Sequence, residues 1–255
     1  MPSDNSPVSR RRISIRPFHP SPRDRLGPQM ALPGARTQEL FAPLAKDYER
    51  WAAVLSMGQD ARWRHRMVVD LDVGPGDRVL DVAAGTGSIT RLLQERGADV
   101  VSLDLTVGML AHAVERGATG VNASGERLPF PDSAFDAVTF GYLLRYVESV
   151  PEALTELARV VRPGGVVGMV EFARPSGLAG GLWHLYTRTV LPLAGTLISS
   201  GWRDVGRFLG PSIDQFHHRW PPSLLTDAWR AAGLSGLKVQ AMSLGGGLVM
   251  TARKT

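Results

Sequence analysis

The chain contains no cysteine, so disulfides, thiolate metal sites and a cysteine nucleophile are excluded. No Asp/Glu/His cluster at ligand spacing points to a metal. His112 has no Ser, Asp or second His at triad or metal spacing and reads as an ordinary surface histidine. Long apolar runs are missing as well: the stretch from Leu182 to Ile198 is interrupted by His184, Arg188 and Pro192 and is too short to cross a membrane. Excess charge is confined almost entirely to one end. Arg10, Arg11, Arg12, Arg16, Arg23 and Arg25 stand against Asp4 and Asp24, a net of +4, which leaves +1 of the total of +5 for everything beyond residue 30. A basic groove across the fold is therefore not supported, and no nucleic-acid partner is expected.

What is present fits one α/β domain of ordinary size: 255 residues, 44% of them hydrophobic, can supply a substantial core. Residues 1–34 are rich in Pro, Ser and Arg, have no apolar periodicity and are expected to be a disordered tail. The tail has no apolar core of the signal-peptide kind. It loosely resembles a transit peptide, but Met30 stands just before recognisable structure, and a start codon assigned too far upstream explains the segment as economically. Residues 35–255 then form the domain, with N-terminal helices over 35–72 and a lid insertion over 177–222, in a cytoplasmic protein.

The domain is organised around Val79 to Thr90, which reads as a buried strand, a glycine turn and the first turn of a helix. Gly85 and Gly87 let a ligand lie against the backbone where the helix begins; a purely structural strand-to-helix turn is the competing reading. Thr90 stands where a dinucleotide fingerprint has its third glycine, so a pyrophosphate is not the obvious guest. Asp104 closes the next apolar strand, Asp99 to Asp104, and lands beside the turn if the two strands are parallel neighbours, where a carboxylate can accept from both hydroxyls of a ribose. Asp81, just before the turn, offers an acceptor for a cationic amino-acid group. Glycine turn, ribose acid and ammonium acceptor without a phosphate cradle fit S-adenosylmethionine.

Upstream, two helical stretches run from Thr37 to Asp72, and Arg62-Trp63-Arg64-His65-Arg66 reads as a solvated helix face rather than a nucleic-acid patch. Downstream, Thr106 is placed as N-cap of a helix on which Met109 either packs on an adenine or belongs to the core. A third strand ends at Val121. The strand Phe135 to Phe140 leads into Gly141-Tyr142-Leu143-Leu144-Arg145-Tyr146 at a carboxyl end, where ligands of open parallel sheets sit. A helix from Val150 is stopped by Pro163-Gly164-Gly165, and Val166 to Glu171 is a further buried strand. Strand and helix alternate five times, the pattern of a parallel sheet with helices on both faces, and strands over Leu237–Ser243 and Gly247–Ala252 complete it. The expected fold is Rossmann-like: α/β, a seven-stranded mostly parallel sheet with a helical lid.

Several segments carry a more specific likeness. Leu80 to Gly87 shows a Leu-Asp-x-Ala-x-Gly-Thr-Gly signature, and Leu128-Pro129-Phe130-Pro131-Asp132 is followed by Phe135-Asp136. Leu55-Ser56-Met57-Gly58, Arg62-Trp63-Arg64, Val190-Leu191-Pro192 and the arginine in Tyr142 to Val147 add to it. On these segments the chain, from Phe41 to Lys254, resembles the ubiquinone/menaquinone biosynthesis C-methyltransferases, a branch of the class I S-adenosylmethionine-dependent methyltransferases. The resemblance implies cofactor contacts from Asp81, Gly85, Thr86 and Gly87 at the amino-acid end, Asp104 at the ribose, Ser124 and Gly125 at the adenine edge, and Gly141 at the methyl end. Tyr146 stands where the family has Asn, and Leu143 where it has Gly.

The implied reaction is transfer of methyl to a ring carbon of a demethylated prenyl quinol or a related hydrophobic aromatic. A ring carbon becomes nucleophilic when an adjacent hydroxyl loses its proton, so the site needs a base or a cation that stabilises the phenolate. Arg145 suits the second role, and Tyr48 and Tyr146 are candidates to orient the hydroxyl. A structural ion pair is the competing reading for Arg145, and core packing for each tyrosine. O- or C-methylation of another small metabolite, or cofactor binding without turnover, remain the alternatives. Peripheral membrane contact through the lid and a homodimer are left open.

Overall fold

A computed structural model of the chain describes residues 38–255. The tail expected over residues 1–34 lies outside the described residues. A 3-10 turn over Ala42–Asp47 precedes α1 (Tyr48–Leu55) and α2 (Gln59–Leu71). Alternation then begins with β1 (Arg78–Val82), α3 (Ser88–Gln94), β2 (Asp99–Asp104), α4 (Val107–Glu115) and β3 (Thr119–Asn122). It continues through β4 (Phe135–Gly141), α5 (Val150–Arg159) and β5 (Val161–Phe172). After the lid come α9 (Pro222–Ala231), β6 (Leu234–Met242) and β7 (Gly247–Lys254).

The strands form one seven-stranded sheet in the order β3-β2-β1-β4-β5-β7-β6, parallel except for β7, which runs antiparallel to β5 and β6. Strands buried on both faces have no reason to alternate, and the apolar residues of β1, Val79, Leu80 and Val82, are all fully buried. One side of the sheet is filled by a core that includes Leu80, Phe140, Leu154 and Trp229, the other by one with Trp63, Met67, Leu93 and Val249. The order reverses at β1, whose neighbours are β2 and β4. A crevice opens beyond the carboxyl ends at that point.

Three local expectations are corrected. Pro163-Gly164-Gly165 lies inside β5, not between helix and strand: α5 has ended at Arg159, and a register shift between Phe135 and Ala137 absorbs these residues. Trp63 and Arg64 are not on a solvated face. Trp63 is 2% exposed and donates its indole N–H to Ser243 Oγ at 2.8 Å, and Arg64 is paired with Asp60, whereas Arg62, His65 and Arg66 face solvent. Thr106 does occupy the N-cap position of α4, but its side chain makes no capping bond.

The lid consists of α6 (Gly177–Leu185), a π-helical turn (Tyr186–Val190), α7 (Leu191–Ile198) and α8 (Ser200–Arg219). It is joined to the N-terminal helices by Leu44, Trp202 and Val205, with Phe41, Tyr48 and Trp51 packed around them. Helices α7 and α8 touch backbone to backbone: a Cβ on Gly195 would stand 2.4 Å from Trp202 O, and one on Gly206 2.8 Å from Leu191 O. No helix among the described residues is long and apolar enough to cross a membrane.

Gly195→Ala is expected to cost about 1–3 kcal/mol, because neither backbone can give way without separating α7 from α8. Gly181→Ala in α6, where the added Cβ meets nothing within 4 Å, is expected to be neutral or stabilising. Denaturant titration of the two variants beside the parent checks both.

Candidate active site

The site begins where β1 ends. Ala83, Gly85 and Gly87 take left-handed backbone conformations with φ of 55°, 57° and 86°, which carries the chain from the strand into α3 in a tight loop. Asp104 holds that loop from the neighbouring strand: Gly85 N–H donates to its Oδ2 at 2.8 Å and Thr106 N–H to its Oδ1 at 2.7 Å. Burial pushes the Asp104 carboxyl up, and these two backbone bonds pull against it. The Thr106 side chain bonds the same carboxyl, and Asp104 lines the cavity beside the loop.

Asp81 takes a different place from the one expected. Its side chain is fully buried and off the cavity wall, with Oδ2 accepting from Thr90 Oγ1 at 2.7 Å and Oδ1 from Thr139 Oγ1 at 2.9 Å. Burial pushes its pKa up to about 6 against those bonds and the nearby charge of Arg64. Its two oxygens form a brace that ties β1 to α3 and β4. Gly87 is likewise behind the wall, its N–H donating to Ala84 O. Ser124 and Gly125 do not line the cavity: Ser124 Oγ accepts from Glu126 N–H at 3.2 Å, and a Cβ on Gly125 would lie 2.9 Å from Val82. Gly85, Thr86, Asp104, Met109 and Gly141 are on the wall.

The cavity has a volume of about 480 Å³. All four tyrosines of the chain, Tyr48, Tyr142, Tyr146 and Tyr186, line it, with Trp63, Trp183 and Trp202. Tyr48 is stacked on Trp202 at 5.8 Å and Tyr146 on Phe208 at 6.1 Å. Burial pushes the Tyr48 hydroxyl up to about 12 and raises that of Tyr146. Among the cavity-lining residues the charged side chains are Asp60, Arg64, Asp104 and Arg145.

Arg145 is held in the ion pair that was its competing reading. Its Nε donates to Glu171 Oε1 at 2.9 Å and its Nη1 to Ser212 Oγ at 3.1 Å, with both members of the pair at most 2% exposed. The guanidinium also lies over the rings of Tyr146, Phe172 and Tyr142 at 5.0, 5.4 and 5.8 Å. It is on the cavity wall, yet one edge is committed to Glu171, whose carboxyl burial pushes up against the pull of Arg145.

Sequence reasoning did not find two groups. Glu49 of α1 reaches across to the glycine turn, accepting from Thr86 Oγ1 at 2.8 Å, Ser88 Oγ at 3.3 Å and Arg116 Nη1 at 2.5 Å. The second is Tyr142, whose φ of 60° is left-handed for a side chain with a Cβ. Its hydroxyl donates to Asp60 Oδ1, and its ring stacks on Phe172 at 4.7 Å. Neither contact has a local spacing signal, since 37 and 82 residues separate the partners.

The wall fits a nucleoside with an amino-acid arm. A Cβ on Gly85 would meet no atom within 4 Å, so the loop leaves open space where any other residue would project. Asp104 lines the same cavity, where a carboxylate can accept from the hydroxyls of a ribose.

Sheet order, glycine turn and the acid closing β2 together define a class I S-adenosylmethionine-dependent methyltransferase. The fold matches a solved S-adenosylmethionine-dependent methyltransferase of Thermotoga maritima with a TM-score of 0.60 at 18% identity, over 86% of this chain and 99% of that one. It also matches the cyclase SpnF with a TM-score of 0.53 at 20% identity, over 76% and 81% of the two chains, so the fold alone does not set the reaction. Residues 29–254 match the model of the ubiE/COQ5 methyltransferase family, and the chain belongs to that family. It is 39% identical over 212 residues to the demethylmenaquinone methyltransferase of Mycolicibacterium paratuberculosis, covering 82% of this chain and 89% of the relative. The corresponding protein of Corynebacterium urealyticum is 42% identical over 163 residues, 63% of this chain and 70% of the relative.

Asp104→Ala should weaken S-adenosylmethionine binding at least about tenfold, the loss of one charge-assisted pair of hydrogen bonds, while the protein stays folded; calorimetric titration with a melting curve checks it. Glu49 gives a pH dependence. Burial raises its carboxyl, but the hydrogen bonds and charge of Arg116, with Thr86 and Ser88, outweigh this and hold it below the usual range. A lowered folded-state value adds stability above the unfolded value and loses it as the pH falls through the folded one. The parent should therefore lose more stability than Glu49→Gln as the pH drops below about 4, read as two melting-temperature profiles.

Proposed function

We propose that this methyltransferase transfers the methyl group of S-adenosylmethionine to a ring carbon of a demethylated prenyl quinol of the demethylmenaquinol kind. The observation that carries the reading is the cavity itself. Its glycine-turn end presents Gly85 and Asp104, and its other walls are aromatic with Asp60, Arg64 and Arg145 set into them. The names of the most similar relatives support the acceptor class.

In this reading Gly85 and Thr86 receive the amino-acid arm of the cofactor, Asp104 accepts from its ribose, and Met109, 4% exposed on the wall, packs on the adenine. When bound, the cofactor supplies an already electrophilic methyl group. The chain's own task is to hold a flat ring in line with that group and keep water out, and positioning alone contributes about 7–11 kcal/mol. Tyr48, Tyr146 and Phe208 form an apolar slot for such a ring. Arg145, held by Glu171 and Ser212 on the cavity wall, brings its positive charge to the oxygen on which charge develops.

The lid supports delivery of a lipid-soluble acceptor. Leu178, Leu182, Leu185, Leu193 and Leu197 are 57–93% exposed, and residues 177–203 carry Arg188 and Arg203 but no Asp or Glu. Both arginines are ion-paired, with Asp214 and Asp204, so it is the apolar leucine face that suits contact with a lipid surface. Leu182 also lines the cavity, so the apolar face runs into the mouth.

Incubating the protein with labelled methyl donor and a panel of demethylquinols, then locating the label, tests the assignment; label on a ring carbon is expected, and label on oxygen overturns it. Arg145→Leu leaves Glu171 buried without its counter-charge and should cost about 3–5 kcal/mol of stability. Arg145→Lys keeps the charge and loses the fork. It should lower turnover about 10²-fold with cofactor affinity unchanged, measured by steady-state kinetics and calorimetry.

A further inference from the structure

Deprotonating a phenolic acceptor requires somewhere for the proton to go, and Arg145 cannot take it. Among the described residues no histidine lines the cavity, and the carboxylates that do are Asp60 and Asp104. Asp104 stands at the glycine turn with a backbone N–H on each oxygen. Asp60 stands apart from the turn, in the first turn of α2, and is 8% exposed.

Asp60 is also held more firmly than a core residue needs. Arg64, one turn on, donates to Oδ2 at 2.8 Å, and the Tyr142 hydroxyl donates to Oδ1. Tyr142 reaches it from a left-handed backbone, a strained conformation for a side chain with a Cβ that is retained mainly where a site uses it. Tyr142 N–H is fixed on Val170 O at 2.9 Å and its ring on Phe172, and Arg145 lies over that ring. The acid, the cation over the ring and the aromatic wall are thus assembled by one residue. An ionised carboxylate has about four acceptor positions, of which Tyr142 and Arg64 use two.

Resting on the acceptor class proposed above, we infer that Asp60 is a catalytic residue, the base that takes the proton of the acceptor's phenolic hydroxyl. The O–H bond breaks toward an Asp60 oxygen and its electron pair stays on the acceptor oxygen, where it is delocalised onto the ring carbon. That carbon forms the new C–C bond as the methyl group leaves its sulfur, which keeps the electron pair. The ring carbon then loses its own hydrogen as a proton to solvent, and the acceptor oxygen recovers its proton from Asp60. The net result is one methylated quinol, one neutral thioether and one proton released, with no oxidant or reductant. Tyr142 and Arg64 are positioning residues for this base.

The test uses the full chain, demethylmenaquinols with a short prenyl tail, and ring-fluorinated analogues of graded hydroxyl acidity. Asp60→Asn keeps the shape and still accepts from Tyr142. It should lower turnover at least about 10²-fold while quinol and S-adenosylmethionine affinities, measured by calorimetry, stay within about threefold. The deficit should shrink steadily as the acceptor hydroxyl becomes more acidic, a trend that a purely structural role would not produce. Asp60→Glu, which retains a carboxylate, should recover at least about tenfold over Asp60→Asn, and supplies the comparison if the asparagine variant does not fold. Parent-like turnover in Asp60→Asn, or a deficit independent of acceptor acidity, overturns the role of Asp60. A parent protein that methylates none of the quinols overturns the acceptor class first, and the inference with it.

Discussion

The bridge from Asp104 to the backbone N–H groups of Gly85 and Thr106 is the contact on which the site depends. It joins the turn after β1 to the turn after β2, and so converts two adjacent parallel strands into one wall. The parallel register brings them together: Val82 is opposite Leu103, so Asp104, the last residue of β2, stands beside the turn that follows β1. Asp81 braces the same junction from inside the sheet through Thr90 and Thr139. One carboxylate faces the ligand space and the other is sealed beneath it, although both are aspartates near a strand end.

That difference explains what was legible in the sequence. Asp104 could be placed because its role follows from strand adjacency, which the apolar run Asp99 to Asp104 announces. Asp81 could not be told apart from a ligand residue, because its two hydroxyl partners are set by tertiary packing. The same holds for Arg145: a lone arginine after a strand is compatible with a substrate contact or an ion pair, and only the arrival of Glu171 from β5 decides the pairing. Strand and helix order were readable because apolar periodicity is local. The bulge at the start of β5 was not, since Pro163-Gly164-Gly165 reads as a stop wherever its hydrogen-bonding partners are unknown.

The closing elements were least legible. Glu49 lies 37 residues from Thr86 and 67 from Arg116, so no motif links them, yet together they fasten α1 over the glycine turn. Trp63 looked like part of a basic surface because arginines flank it; helical geometry turns it inward and leaves Arg62 and Arg66 outside. Lid and N-terminal helices share Tyr48 and Trp202 as a stacked pair, so the two segments cover the cavity jointly. Opening the cavity from either side disturbs the same aromatic contact.

Aromatic residues make up only 7% of the chain, and half of its six tryptophans, Trp63, Trp183 and Trp202, stand on the cavity wall. Their indoles therefore share one environment that changes whenever the cavity fills, while Trp229 is sealed in the core on the other side of the sheet. The protein carries its own optical reporter of occupancy. An aromatic ring that filled the cavity would lie against these indoles, so a change in their emission would report its arrival.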